Sequence, residues 1–263
     1  MKSGFVAMVG RPNVGKSTLT NRLCEEKVAI VSDKAGTTRD SIKGILTKGE
    51  TQYVFIDTPG IHKPKHLLGE HMTGIAIRTL KEVDCILFIL DGTQEISTGD
   101  QFVMERILEA GNTPRIAVIN KSDLFSDEEY AAKLAEVKEK LGEFNDVVML
   151  SSQFGFGVDR LLNSIKPFMT DEFWYYPDDM YTDMPVYKII GEIVREKILE
   201  RTQDEIPHSI AIEIINVSRR EEGKKDKYDV NIYVERNSQK GIVIGKDGKL
   251  LKEIGTEARK DIE

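Results

Sequence analysis

Gly10-Arg11-Pro12-Asn13-Val14-Gly15-Lys16-Ser17 follows a short apolar run, Phe5 to Val9, and opens a stretch of helical period that continues to Glu26. It matches G-x-x-x-x-G-K-[ST] in the strand, turn and helix context that gives the motif its meaning. The glycines let the backbone fold into a nest of N–H groups around phosphates, at the positive end of the following helix. Gly10, Asn13, Val14, Gly15, Lys16, Ser17 and Thr18 are therefore the candidate phosphate ligands. Lys16 neutralises the β- and γ-phosphates. Ser17 offers a hydroxyl to Mg²⁺, a hard ion that takes oxygen ligands and keeps several waters.

A phosphate loop does not choose between adenine and guanine, so the base-reading residues decide. Asn120-Lys121-Ser122-Asp123 stands at the end of an apolar run about a hundred residues downstream, where open α/β sheets bind ligands. A carboxylate at Asp123 accepts both the N1–H and the 2-amino hydrogens of guanine, whereas adenine would leave it unpaired. Asn120 is expected to hold the loop and meet the base edge, and the stem of Lys121 to cover the base face. Ser151 and Ser152, after the last strand, would bring a backbone N–H to guanine O6.

Two further stretches respond to the γ-phosphate. In Asp57-Thr58-Pro59-Gly60, Asp57 would hold Mg²⁺ through water and the Gly60 N–H would meet the phosphate. In Gly36-Thr37-Thr38-Arg39-Asp40, Thr38 is the expected second protein ligand of Mg²⁺, with Thr37 the alternative. The metal set is thus Ser17, Thr38 and Asp57, and the catalytic set Lys16, Asn13, Thr38 and Gly60. The residue after Gly60 is Ile61, which cannot orient a water. Asn13 is therefore expected to help bind K⁺ beside the phosphates, where that ion supplies the missing positive charge.

Outward from these motifs the chain alternates β-branched runs with helical periods, which predicts an α/β domain on a mostly parallel six-stranded sheet. Strands are expected at 5–9, 42–48, 52–57, 85–91, 115–120 and 147–150, and helices at 16–26, 68–83, 99–110, 127–141 and 158–168. Gly49-Glu50-Thr51 between two strands suits a hairpin, hence one antiparallel edge strand. The aromatic, acidic, proline-punctuated stretch from Asp171 to Pro185 reads as a linker, its Trp174 and tyrosines packing between domains. The divisions are therefore 1–172, 173–185 and 186–263.

The last part reads as helix (186–200), two strands (209–218 and 227–235), a short helix (238–244), a turn and a final helix. Gly245-Lys246-Asp247-Gly248 between two helices is the turn that a KH domain brings against single-stranded RNA. Ile242, Val243 and Ile244 would floor a groove for bases with Leu250 and Leu251, and Lys240, Lys246 and Lys249 would meet phosphates. The RNA-binding set is Lys240, Ile242, Ile244, Gly245, Lys246, Asp247, Gly248 and Lys249. Further bases gather at Arg219, Arg220, Lys224 and Lys225. The final strand of such a domain is missing, so a truncated chain is expected.

With 263 residues, 40% of them apolar, the chain has material for one large core and a second, smaller one. Its net charge of −7 lies mostly in the first part. Cys24 and Cys85 have no metal-ligand spacing and read as reduced core thiols. His62, His66 and His71 read as solvated residues rather than a metal site.

Taken together these elements resemble the translation-factor-related GTPases, in the group containing Era, Der and MnmE. Thr37-Thr38-Arg39-Asp40 and Asn13 are the pointers, and the run from Val234 to Gly248 is the most specific match. One N-terminal GTPase domain followed by a KH-like (type II) segment is similar to the Era family. The resemblance implies a slow, cytoplasmic GTPase switch, a monomer binding GTP and GDP. It implies small-subunit ribosomal RNA near its 3′ end and the 30S subunit as partners, and leaves peripheral membrane association open. Ser152 stands where alanine is usual, a change expected to be harmless.

Overall fold

The computed structural model describes residues 1–32, 34, 37–62, 67–203, 206, 209–218 and 226–263, without the side chains at 67, 68 and 127. Gly36, His66, Arg219, Arg220, Lys224 and Lys225, singled out above, lie outside the described residues. The chain divides into two compact units, 1–29 with 38–183, and 30–37 with 184–263.

In the first unit, β1 (Lys2–Val9), β2 (Ile42–Lys48), β3 (Thr51–Asp57), β4 (Cys85–Asp91), β5 (Arg115–Asn120) and β6 (Asp146–Met149) form one sheet. Its order is β2-β3-β1-β4-β5-β6, parallel except for the β2–β3 hairpin at the edge. The helices α1 (Lys16–Cys24), α2 (Leu67–Leu80), α3 (Thr98–Leu108) and α4 (Asp127–Leu141) connect the strands, and α5 (Val158–Ile165) follows β6. Strands buried on both faces explain the continuous apolar runs, and all seven residues of β4 are buried. One cluster holds Val6, Met8, Leu19, Phe55 and Leu87, the other Val9, Ile61, Phe88, Val103 and Ile119. Their residues alternate along each strand, as side chains on opposite faces must.

β1 begins three residues earlier than its apolar run, because Lys2, Ser3 and Gly4 pair with Thr51, Gln52 and Tyr53. The stretch after Met169 also differs from a free linker. Ser3 exchanges backbone hydrogen bonds with Asp171 at 2.9 and 3.1 Å, and the Ile45 N–H donates to Tyr181 O at 2.8 Å. Tyr175 packs at 4.6 Å from the Phe5 ring, and the Trp174 indole N–H donates to Glu50 O at 3.4 Å. These aromatic residues therefore pack as a strap on the first unit itself, against β1 and the β2–β3 turn.

The second unit contains α6 (Val186–Arg201), β7 (Ile210–Ser218), β8 (Lys227–Val234), α7 (Asn237–Ile244) and α8 (Lys249–Ile262). β7 and β8 pair antiparallel. Ile198, Leu199, Ile210, Val243 and Ile254 form the core together with Ile30. No helix among the described residues is long and apolar enough to cross a membrane.

Candidate functional site

The P-loop lies between β1 and α1 with its backbone in unusual conformations. Gly15 has φ +99°, and a Cβ there would stand 2.2 Å from Asn120 Nδ2, so only glycine fits. Asn13 is also left-handed, at φ +65°. Lys16 is buried, its ammonium donating to Gly10 O at 3.3 Å and Arg11 O at 2.8 Å. Burial pushes its pKa down to about 8, against the pull of Asp57. Thr18 sits half-buried on the first turn of α1.

Three side-chain oxygens converge beside this loop. Ser17 Oγ donates to Asp57 Oδ2 at 2.7 Å and lies 3.1 Å from Thr38 Oγ1. The Thr37 hydroxyl instead donates to Lys34 O at 2.6 Å. Asp57 is fully buried, its pKa raised to about 6 by that burial, against Lys16 and Ser17. Its Oδ1 has no hydrogen-bond partner. A buried carboxylate oxygen left over beside two hydroxyls is a hard-oxygen donor set of the kind Mg²⁺ takes.

The turn after Asp57 is fixed to β1, with Thr58 Oγ1 donating to Met8 O at 2.8 Å and the Ile61 N–H to Gly10 O at 3.1 Å. Gly60 is thereby set against Pro12 of the P-loop. Ile61 is wholly buried in the apolar cluster with Val9 and Phe88, so it faces the core and not the phosphates.

The loop expected to read the base follows β5. Asn120 Nδ2 donates to Val14 O at 2.7 Å, and its Oδ1 accepts from the Ser152 N–H at 2.9 Å and the Ser152 hydroxyl at 2.8 Å. One amide side chain thus joins the P-loop, the base loop and the segment after β6. Asp123 is exposed and accepts a hydrogen bond from the Ser151 hydroxyl. The Ser151 N–H is engaged by Phe156 O at 2.9 Å, so the hydroxyl of Ser151, not its amide, serves the base loop here. The Ser152 hydroxyl, expected to be a bystander, fixes which way the Asn120 amide points. Nothing but the identity of residue 152 signals this in the sequence.

In the second unit, Gly245-Lys246-Asp247-Gly248 joins α7 to α8. Gly245 has φ +73°, and a Cβ there would meet the Leu250 Cβ at 2.6 Å. Lys240, Lys246, Asp247 and Lys249 are exposed, Gly248 is half-buried, and Ile242 and Leu251 are exposed apolar residues beside the turn. Ile244 is half-buried. Val243 belongs to the core and not to a base groove, because adjacent residues of a helix point about 100° apart and Ile242 takes the exposed side.

A family model described as "50S ribosome-binding GTPase" matches residues 5–121, and a KH domain model matches residues 205–263. The chain is 65% identical over 263 residues to the GTPase Era of Fusobacterium nucleatum subsp. nucleatum, covering all of this chain and 88% of that protein. Its fold matches a crystal structure of Era in complex with MgGDPNP and nucleotides 1506-1542 of 16S ribosomal RNA. There the TM-score is 0.95 and the identity 39%, over 100% of this chain and 89% of that one. A variant Era of Aquifex aeolicus bound to GDP.AlF4- matches with TM-score 0.94 and 39% identity, over 100% and 89% of the two chains.

Proposed function

The chain belongs to the Era family of GTPases, and from that premise we propose that its hydrolysis of GTP governs binding of 16S ribosomal RNA near its 3′ end and assists assembly of the 30S subunit. The observation that carries this reading is the match, over the whole chain, to an Era holding both a GTP analogue and that RNA. The geometry supports it at both ends. Asn120 welds the phosphate loop to the base loop, and Gly245 brings backbone and lysines to one exposed turn.

In this reading Asp123 reads the guanine edge, Asn120 and Ser152 hold the loop, and the amides of residues 13–18 cradle the phosphates. Ser17, Thr38 and Asp57 would hold Mg²⁺, which supplies positive charge to the phosphate oxygens when bound. Lys16, freed from Gly10 O and Arg11 O, turns its ammonium to the β- and γ-phosphates. Gly60 contributes its backbone N–H to the γ-phosphate. With Ile61 turned into the core, no side chain at that position orients water, so unassisted hydrolysis is slow. Asn13 would help hold K⁺ beside the phosphates, where that ion would add positive charge.

The test is binding of an oligonucleotide carrying the 3′ end of 16S RNA, with a GTP analogue and with GDP. Gly245→Ala is expected to weaken RNA binding by about tenfold or more while GTP turnover without RNA stays unchanged. Wild-type RNA affinity in that variant, or equal binding of a scrambled oligonucleotide, refutes the proposal.

A further inference from the structure

Asp91 ends β4 beneath the base-reading loop and belongs to none of the motifs above. It is almost fully buried, and one carboxylate there receives four donors. Its Oδ2 accepts from the Lys121 ammonium at 2.6 Å and Gln94 Nε2 at 3.1 Å. Its Oδ1 accepts from the Thr93 N–H at 3.0 Å and the Thr93 hydroxyl at 2.6 Å. Burial opposes its charge, but the hydrogen bonds from Lys121 and Thr93 outweigh that and hold its pKa below the usual value.

Lys121 needs such a partner. It adopts φ +66°, a left-handed conformation that costs a residue with a side chain on the order of 1 kcal/mol. The next residue after Asp91 grips the same loop, the Gly92 N–H donating to Asn120 O at 3.0 Å. The network also reaches the phosphate loop. Gln94 Oε1 accepts from Arg11 at 3.1 Å, and Arg11 is the residue whose carbonyl receives the Lys16 ammonium at 2.8 Å.

We propose that Asp91 is a positioning residue for the guanine base, acting through Lys121, whose ammonium it holds so that the aliphatic stem lies over the base face. The proposal rests on reading Asn120 to Asp123 as the guanine loop. It gives Lys121 a fixed place before nucleotide arrives, so less ordering is lost on binding.

Full-length wild type, Asp91→Asn, Lys121→Met, the double variant and Asp123→Ala are titrated with GDP and with IDP, which lacks the 2-amino group. Asp91→Asn is expected to weaken GDP by about 10- to 100-fold, the range for losing a charged hydrogen bond. IDP weakens by the same factor, because stacking under Lys121 is blind to the 2-amino group. The double variant binds no more weakly than Lys121→Met alone, the mark of two residues acting as one. Unchanged GDP affinity in Asp91→Asn, additive losses, or an altered ratio of GDP to IDP affinity overturns the proposal. If Asp123→Ala leaves that ratio untouched, it is the guanine-loop reading that fails instead. Should Asp91→Asn not fold, Thr93→Val loosens the carboxylate without touching Lys121. Several-fold faster GDP release then supports the proposal, and an unchanged rate refutes it.

Discussion

Gln52 makes a testable account of the strap that leaves the first unit. It is wholly buried in β3, and its amide is saturated. Oε1 accepts from the Tyr175 N–H at 2.9 Å and the Tyr176 N–H at 3.0 Å, while Nε2 donates to Tyr176 O at 2.9 Å and the Thr47 hydroxyl at 3.0 Å. Gln52→Leu keeps much of the volume and removes every one of these bonds, leaving three main-chain groups of the strap without partners. At about 1 kcal/mol each the loss is about 3 kcal/mol, with water reaching the strap once it lifts. The remaining ties, among them Ser3 to Asp171, the Ile45 N–H to Tyr181 O and Lys43 to Asp183 at 2.8 Å, then hold the strap alone. Trp174 is the only tryptophan and sits within the strap, so its emission reports this segment directly. In urea, the Trp174 transition of Gln52→Leu is expected about 1 to 2 M lower than in wild type, ahead of the loss of helix seen by circular dichroism. A Trp174 midpoint within about 0.2 M of wild type refutes the reasoning.

Ile61→Gln places a water-orienting side chain where its absence was noted, yet the position is buried among core residues. It is expected to destabilise the first unit by about 2 to 4 kcal/mol with no gain in single-turnover hydrolysis, and faster turnover overturns the assignment of Ile61 to the core. Burial pushes the thiols of Cys24 and Cys85 up to about 12. Neither is expected to react with iodoacetamide at pH 8 until urea unfolds the chain, as mass spectrometry would read. Burial opposes the charge of Glu136, but hydrogen bonds from Lys133, Lys140 and the Ile96 N–H outweigh it and hold its pKa down at about 2. A depressed carboxylate stabilises the fold above the unfolded value of 4.5 and loses that effect as pH falls toward 2. The stability gap between wild type and Glu136→Gln should therefore be flat above pH 5 and close on acidification; a gap independent of pH contradicts the ion-pair account.

The parallel sheet was legible because a strand covered on both faces must be apolar throughout, and Cys85 to Asp91 or Arg115 to Asn120 can be little else. The expected phosphate and base loops stood out for another reason: their chemistry needs particular residue types at fixed places, so Lys16 and Asp123 are the candidates the sequence offers. What stayed hidden is polar and non-local. Lys2 and Ser3 have no apolar signature, and join β1 only because Thr51 and Gln52 pair with them. Gln52 reads as a solvent-facing strand residue until a segment some 120 positions away covers it. Val243 and Ile242 are both apolar, and only the phase of α7, whose Gln239 one turn earlier is also buried, decides which one faces inward. Ser152 and Asp91 illustrate the same limit inside the site. Each completes another residue's hydrogen bonds, so no motif marks it. A sequence declares the groups that meet a ligand, whereas the groups that hold those in place are found only where the folded chain satisfies its buried polar atoms.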